Sequence, residues 1–207
     1  MVEPAKVAAR TAKPQTGEPL PHESAKLHVT GEALYTDDIG TPAGALHAYV
    51  GVSQATHARI KNLNLDAVRN APGVVCVLTA SDIPGSSDIG PVYTGDPLIA
   101  SDTVEFRGQI LFAVAAVSNK AARRAARLAE IEYEMLPAVL DSQTGHELES
   151  YVRPMHCQRR GDAKAAIAEA PMKLEGAFQS GGQEQMYLEG QVSLAIPDED
   201  GKMLVYS

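Results

Sequence analysis

The chain is poor in cysteine and contains no long apolar run. Its two cysteines among 207 residues, Cys76 and Cys157, lie far apart. Alone they build neither a disulfide framework nor a zinc or iron–sulfur site, so a reducing cytoplasm is the expected compartment. No stretch approaches the roughly 20 apolar residues of a membrane helix, and the most apolar segment, residues 110–117, is too short. The first 20 residues mix basic residues and prolines without an apolar central block, so they do not read as a secretory signal, and a flexible leader is the expectation for residues 1–23.

Positive charge is also scarce. The 26 acidic residues outnumber the 18 basic ones, for a formal charge of −8. That balance opposes general nucleic-acid or membrane-surface binding and points to small molecules or other proteins as partners. The six histidines (His22, His28, His47, His57, His146 and His156) include no i, i+4 pair and no HExxH, so no metal site is expected. His47, on the alternate face of a strand pattern, is an ordinary packed or surface residue. His156 and Cys157 are adjacent, and adjacent residues of an extended chain point apart, so they form no nucleophile–base dyad.

What remains is enough to build a core: 44% of the residues are hydrophobic. Residues 45–53 alternate in strand fashion, and residues 58–65 form a second strand. A short helix begins near Asp66, capped by its carboxylate, and stops at Pro72-Gly73. Residues 74–79 read as a buried strand. This β-α-β succession points to an α/β or α+β domain. Residues 84–96, PGSSDIGPVYTGD, are a long loop, and loops of that length inside a domain either line a site or are surface excursions. Residues 109–117 form an apolar strand, and Ser118 caps a helix over residues 120–130 with a small-residue face (Ala121, Ala125, Ala129) and a basic face (Lys120, Arg123, Arg124, Arg127). The basic face is a solvated surface or a dock for an acidic partner. Residues 131–134 alternate like an edge or half-buried strand ending at Pro137, and the first domain closes near Asp141.

The polar, aperiodic residues 142–160 read as a linker. Asp162 then caps a helix bearing Ala163, Ala166, Ile167 and Ala170, which Pro171 ends, and Met172, Leu174 and Phe178 alternate as a strand. A hairpin follows, with residues 191–197 and 202–207 around Asp198-Glu199-Asp200-Gly201. Its second strand is apolar on both faces up to Ser207, so the domain is expected to be incomplete. The glycine pair Gly181-Gly182 lacks both GxGxxG and a Walker lysine, which makes a bulge or close backbone approach the better reading than a phosphate cradle. Glu184 and Glu189 have no inferable acid partner.

Five segments carry a resemblance. GEPLPHESAKLHVTGEALYTDDI from Gly17, HARIKNLNLDAVRNAPGVVCVLTASDIPG from His57, RGQILFAVAA from Arg107, IEYEMLPAVLD from Ile131 and GGQEQMYLEGQ from Gly181 occur in the order seen in the xanthine dehydrogenase and aldehyde oxidase family. The chain is similar above all to bacterial members whose molybdenum-binding portion is a separate subunit. The resemblance implies an a/b hammerhead domain over residues 24–141, a linker over 142–160, and the beginning of a molybdopterin-binding domain over 161–207. It also implies a molybdenum hydroxylase acting on hypoxanthine and xanthine, or on aldehydes or other N-heterocycles. Molybdenum–molybdopterin would belong to the intact subunit and not to these residues alone. [2Fe–2S] clusters, FAD and NAD would be held by an iron–sulfur/FAD partner subunit in a hetero-oligomer.

The family's glutamate base, its substrate-orienting arginine and its GGGFGGKE-type motif correspond to positions beyond Ser207, so no catalytic residue is expected in this chain. Two local contributions are implied. Pro91, Val92 and Tyr93 would lie at the mouth of the substrate channel, and Gly181, Gly182 and Gln183 near the cofactor. The alternative is a non-catalytic protein-binding α/β module.

Overall fold

A computed structural model describes residues 17, 19–187 and 190–207. Most of the expected leader and Glu189 lie outside the described residues. The chain divides into two units, Pro42–Gly182 and the pairing of Met1–Thr41 with Gln183–Ser207.

The larger unit is built on two three-stranded antiparallel sheets. Strands β1 (His47–Val52), β2 (Ala58–Asn64), β3 (Val74–Leu78), β4 (Thr103–Val104), β5 (Ile110–Ala116) and β6 (Glu130–Met135) divide into the orders β1-β5-β3 and β4-β2-β6. The apolar run of β5 takes the central place, between β1 and β3. Leu111, Phe112, Val114 and Ala116 are all buried. β2 and β3 flank the helix α2 (Asp66–Arg69) but join different sheets, so the β-α-β succession makes no parallel unit.

Helix α3 (Asn119–Ala126) lies on the β1-β5-β3 sheet, its N-terminus capped by the Ser118 side chain, which accepts from the Ala121 amide. It ends four residues earlier than expected. The fully buried alanines are Ala122 and Ala125, whereas Ala121 and Ala129 are half-buried, because the packed stripe is turned by one position from the four-residue repeat. Phe112 fills the centre of the core, its ring lying against the glycine backbone of Gly51 across the β1–β5 ladder.

Several expectations are corrected. Asp66 is the first residue of α2 and not its cap; the Asn64 side chain accepts from the Asp66 amide instead. β3 is an edge strand with exposed Val75 and Leu78, since its apolar composition does not reveal which side of the sheet has a neighbour. The stretch read as free of elements opens with helix α4 (Ser142–Glu147), capped by Asp141, whose carboxylate accepts from the Thr144 amide and hydroxyl. α5 (Ala163–Glu169) forms with Asp162 as its cap, but its apolar stripe is exposed. Residues 172–180 form no strand: Met172, Leu174 and Phe178 alternate, yet no ladder pairs with them among the described residues.

The smaller unit holds helix α1 (Ala25–Thr30), closed by Gly31 in the left-handed region at φ 75°, and a 3-10 turn at Thr36–Asp38. It also holds the expected hairpin of β7 (Leu194–Pro197) and β8 (Met203–Tyr206). α1 was not foreseen. No helix among the described residues is long and apolar enough to cross a membrane.

Candidate functional site

The 84–96 loop is organised by one carboxylate. Asp88 accepts hydrogen bonds from the amides of Gly90 (3.0 Å), Gly95 (2.7 Å) and Asp96 (3.3 Å). These bonds, led by those from Gly90 and Gly95, hold the Asp88 carboxyl below its ordinary value of 3.8. Backbone bonds from Ile89 to the Asp96 carbonyl and from Leu98 to the Ser87 carbonyl close the loop at its base. Gly90 has to be glycine, because a Cβ there would collide with the Tyr93 carbonyl oxygen. The result is a fixed excursion that presents Pro91, Val92 and Tyr93 at its tip, all three exposed.

Beside the loop lies a groove of about 970 Å³ whose lining includes His57, Asp96, Phe106, Arg107, Tyr151 and Arg153. Phe106 and Arg107 are carried by a turn that two buried polar residues hold. The Gln109 side chain accepts from the Glu105 amide, and Ser53 bonds both the amide and the carbonyl of Ala55 while its backbone pairs with Gly108 and Gln109. Both buried groups are therefore satisfied. Arg107 donates to the Gln54 side chain at 3.1 Å. His57 donates through Nδ1 to the Pro137 carbonyl. Over the loop itself, the Arg153 guanidinium carbon stands 3.4 Å from the Tyr93 ring centroid.

Among the described residues, the others singled out in the sequence gather no site. Gly181 and Gly182 are exposed, a Cβ on either would meet nothing within 4 Å, and neither has a positive φ. Gln183 is exposed as well. By themselves these three form no cradle of the kind a molybdopterin phosphate or pterin needs. Glu184 is exposed, and Cys157 accepts a bond from Arg159 instead of pairing with His156. Among the described residues no three of His, Cys, Asp or Glu gather to hold a metal ion. Sequence reading missed Arg153, which stands 60 positions from Tyr93 without a local signal to link them.

Comparison with known proteins places these features. Residues 30–137 match the family described as "Aldehyde oxidase and xanthine dehydrogenase, a/b hammerhead domain". The chain belongs to the aldehyde oxidase and xanthine dehydrogenase family. Residues 144–207 match the molybdopterin cofactor-binding domain, so the fold class expected from the sequence is the one found.

Among this family's members, the chain is 36% identical over 191 residues to the xanthine dehydrogenase/oxidase of Gallus gallus, covering 92% of this chain and 14% of that protein. It is 38% identical over 194 residues to aldehyde oxidase 3 of Rattus norvegicus, covering 93% and 14%. The aldehyde oxidoreductase of Desulfovibrio gigas superposes with a TM-score of 0.73 at 27% identity, over 89% of this chain and 23% of that one. The chain thus spans about 14% of the length of the curated relatives it matches. Tyr93 falls in the hammerhead match and Arg153 in the molybdopterin-domain match.

Proposed function

We propose that these residues supply the scaffold and one lip of the substrate channel in a cytoplasmic molybdenum hydroxylase that oxidises hypoxanthine and xanthine to urate. Molybdenum–molybdopterin supplies the oxidising centre of that enzyme. In this reading an iron–sulfur/FAD subunit, joined in a hetero-oligomer of the bacterial type, carries the electrons through [2Fe–2S] clusters and FAD to NAD. The observation that carries the reading is the built loop at residues 84–96. Its Asp88 knot and exposed Pro91-Val92-Tyr93 tip form a shaped, apolar rim of the sort that sorts flat heterocycles by size. The similarity to xanthine dehydrogenases supports purine as the substrate class.

The glycines at 181–182 and Gln183 fall to the cofactor side in this reading, approached once the remainder of the molybdopterin domain surrounds them. A second reading keeps the hydroxylase and changes its substrate to an aldehyde or another N-heterocycle. It is favoured by the similarity to aldehyde oxidase 3 and to quinoline 2-oxidoreductase from Pseudomonas putida 86, the latter with a TM-score of 0.52 at 30% identity over 65% of this chain.

The test is the pair Val92→Ala and Tyr93→Ala in the full-length hydroxylase, assayed with substrates of graded size from hypoxanthine to bulkier heterocycles. Rim contacts predict a kcat/KM that shifts with substrate size, by about two- to tenfold for the larger substrates. Unchanged kcat/KM for every substrate would remove the lip from the account.

A further inference from the structure

We infer that Arg153 is a positioning residue that latches the 84–96 loop through Tyr93 and so couples the start of the molybdopterin-domain segment to the rim of the channel. The inference deepens the proposed function, since the rim role of the loop rests on that reading, but the latch itself rests on geometry alone.

Both partners are held before they meet. On the loop side, the amides of Gly90 and Gly95 are pinned to Asp88, and Gly90 lets the chain turn back against the Tyr93 carbonyl. Tyr93 is therefore fixed at its backbone on both sides. On the other side, the turn after α4 is tied back to the helix. The Ser150 amide donates to the Gly145 carbonyl at 2.8 Å, Glu149 takes the left-handed conformation at φ 53°, and the Tyr151 hydroxyl bonds His146 Nδ1 at 2.7 Å. That turn delivers Arg153 face-on to the Tyr93 ring at 3.4 Å. A planar guanidinium on an aromatic face is the arrangement in which arginine surpasses lysine, because it stacks while keeping its charge.

The geometry separates the latch from ordinary surface contact. Tyr93 retains 45% exposure and its neighbour Val92 retains 77%, so Arg153 fixes the loop without covering its tip. No ion pair engages Arg153 among the described residues, and Tyr93 is its aromatic partner. A shift of the turn after α4 therefore moves the rim residues with it. Substrate size selection at the rim is in this way made sensitive to the packing of the molybdopterin-domain segment.

The test has two arms. In the first, backbone amide exchange is followed in the 207-residue chain at residues 92–96, with residues 110–116 of β5 as an internal reference. Arg153→Ala and Tyr93→Leu are expected to speed exchange at 92–96 about two- to fivefold, the factor that corresponds to about 0.5–1 kcal/mol for an exposed cation–π pair. Both leave β5 unchanged. Tyr93→Phe, which keeps the ring, retains slow exchange, and Arg153→Lys recovers part of it.

Unchanged exchange in Arg153→Ala overturns the latch. So does Tyr93→Phe exchanging as fast as Tyr93→Leu, or β5 loosening as much as the loop, which would mark general destabilisation. In the second arm, Arg153→Ala in the full-length hydroxylase is expected to alter the kcat/KM ratio between large and small substrates. A latch seen by exchange together with no change in any loop variant's kcat/KM would sustain the latch and discard the rim reading.

Discussion

Two glycines in this chain are required by what their missing side chains make room for. Gly51 faces the ring of Phe112 across the β1–β5 ladder, and Phe112, only 1% exposed, occupies the middle of the core. A methyl at Gly51 therefore displaces the largest fully buried side chain. Gly51→Ala is expected to lower unfolding stability by about 1–3 kcal/mol, and Phe112→Ala by about 3–5 kcal/mol. Urea denaturation followed by circular dichroism measures both. Gly90 is constrained by the Tyr93 carbonyl instead, in a surface loop. Gly90→Ala is expected to leave the urea midpoint of the domain unchanged while speeding amide exchange at residues 92–96. A fall in the midpoint comparable to that of Gly51→Ala would show that the loop is part of the core after all.

The elements differ in what their caps protect. Ser118 closes the N-terminus of α3, which buries Ala122 and Ala125 against the β1-β5-β3 sheet. Asp162 closes α5, which buries nothing. Ser118→Ala should accordingly cost about 1 kcal/mol of global stability, whereas Asp162→Ala should reduce helical content locally and leave the cooperative midpoint in place. Equal effects on that midpoint would contradict the assignment of α5 as an uncovered helix.

The loop has its own pH dependence. Because the folded chain holds the Asp88 carboxyl below 3.8, the order that Asp88 confers is complete above that value and is lost as the pH falls through the lowered one. Amide resonances of Gly90 and Gly95 followed by NMR should titrate together in that acid range and should not titrate in Asp88→Asn.

At this scale the sequence was legible where a signal was local. The strand period of β1, the apolar run of β5, the caps Ser118 and Asp162, and the hairpin turn at residues 198–201 are all written within a few residues. It was illegible where a neighbour decides. Val74–Leu78 is as apolar as a central strand but lies at an edge, and Met172, Leu174 and Phe178 alternate without a strand beside them. α4 was missed because SQTGHE has no apolar stripe and forms around the Asp141 cap. The loop could be bounded from its Gly, Pro, Ser and Asp content, but Asp88 as its organiser and Arg153 as its latch depend on contacts that composition does not encode.

For the whole molecule, the apolar surface left open is as informative as the core. The ladder register sets Ala48, Val50, Cys76, Leu78, Ala113 and Ala115 on the face of the β1-β5-β3 sheet opposite α3, with Val50 and Leu78 exposed. Ile167, Met172, Leu174 and Phe178 are exposed as well. Apolar surface of this extent is the kind that binds an apolar probe. The 207 residues in isolation are expected to bind a hydrophobic dye more strongly than the full-length hydroxylase does per mole, a comparison that fluorescence titration makes directly.

The proposed function is a division of labour, in which these residues furnish scaffold and channel rim and the rest of the proposed hydroxylase furnishes the molybdenum centre. Metal analysis of the purified 207-residue chain, expressed in molybdenum-replete cells alongside the full-length enzyme, tests it most directly. The account predicts stoichiometric molybdenum in the full-length enzyme and none retained by the chain alone. One molybdenum atom per 207-residue chain would contradict it.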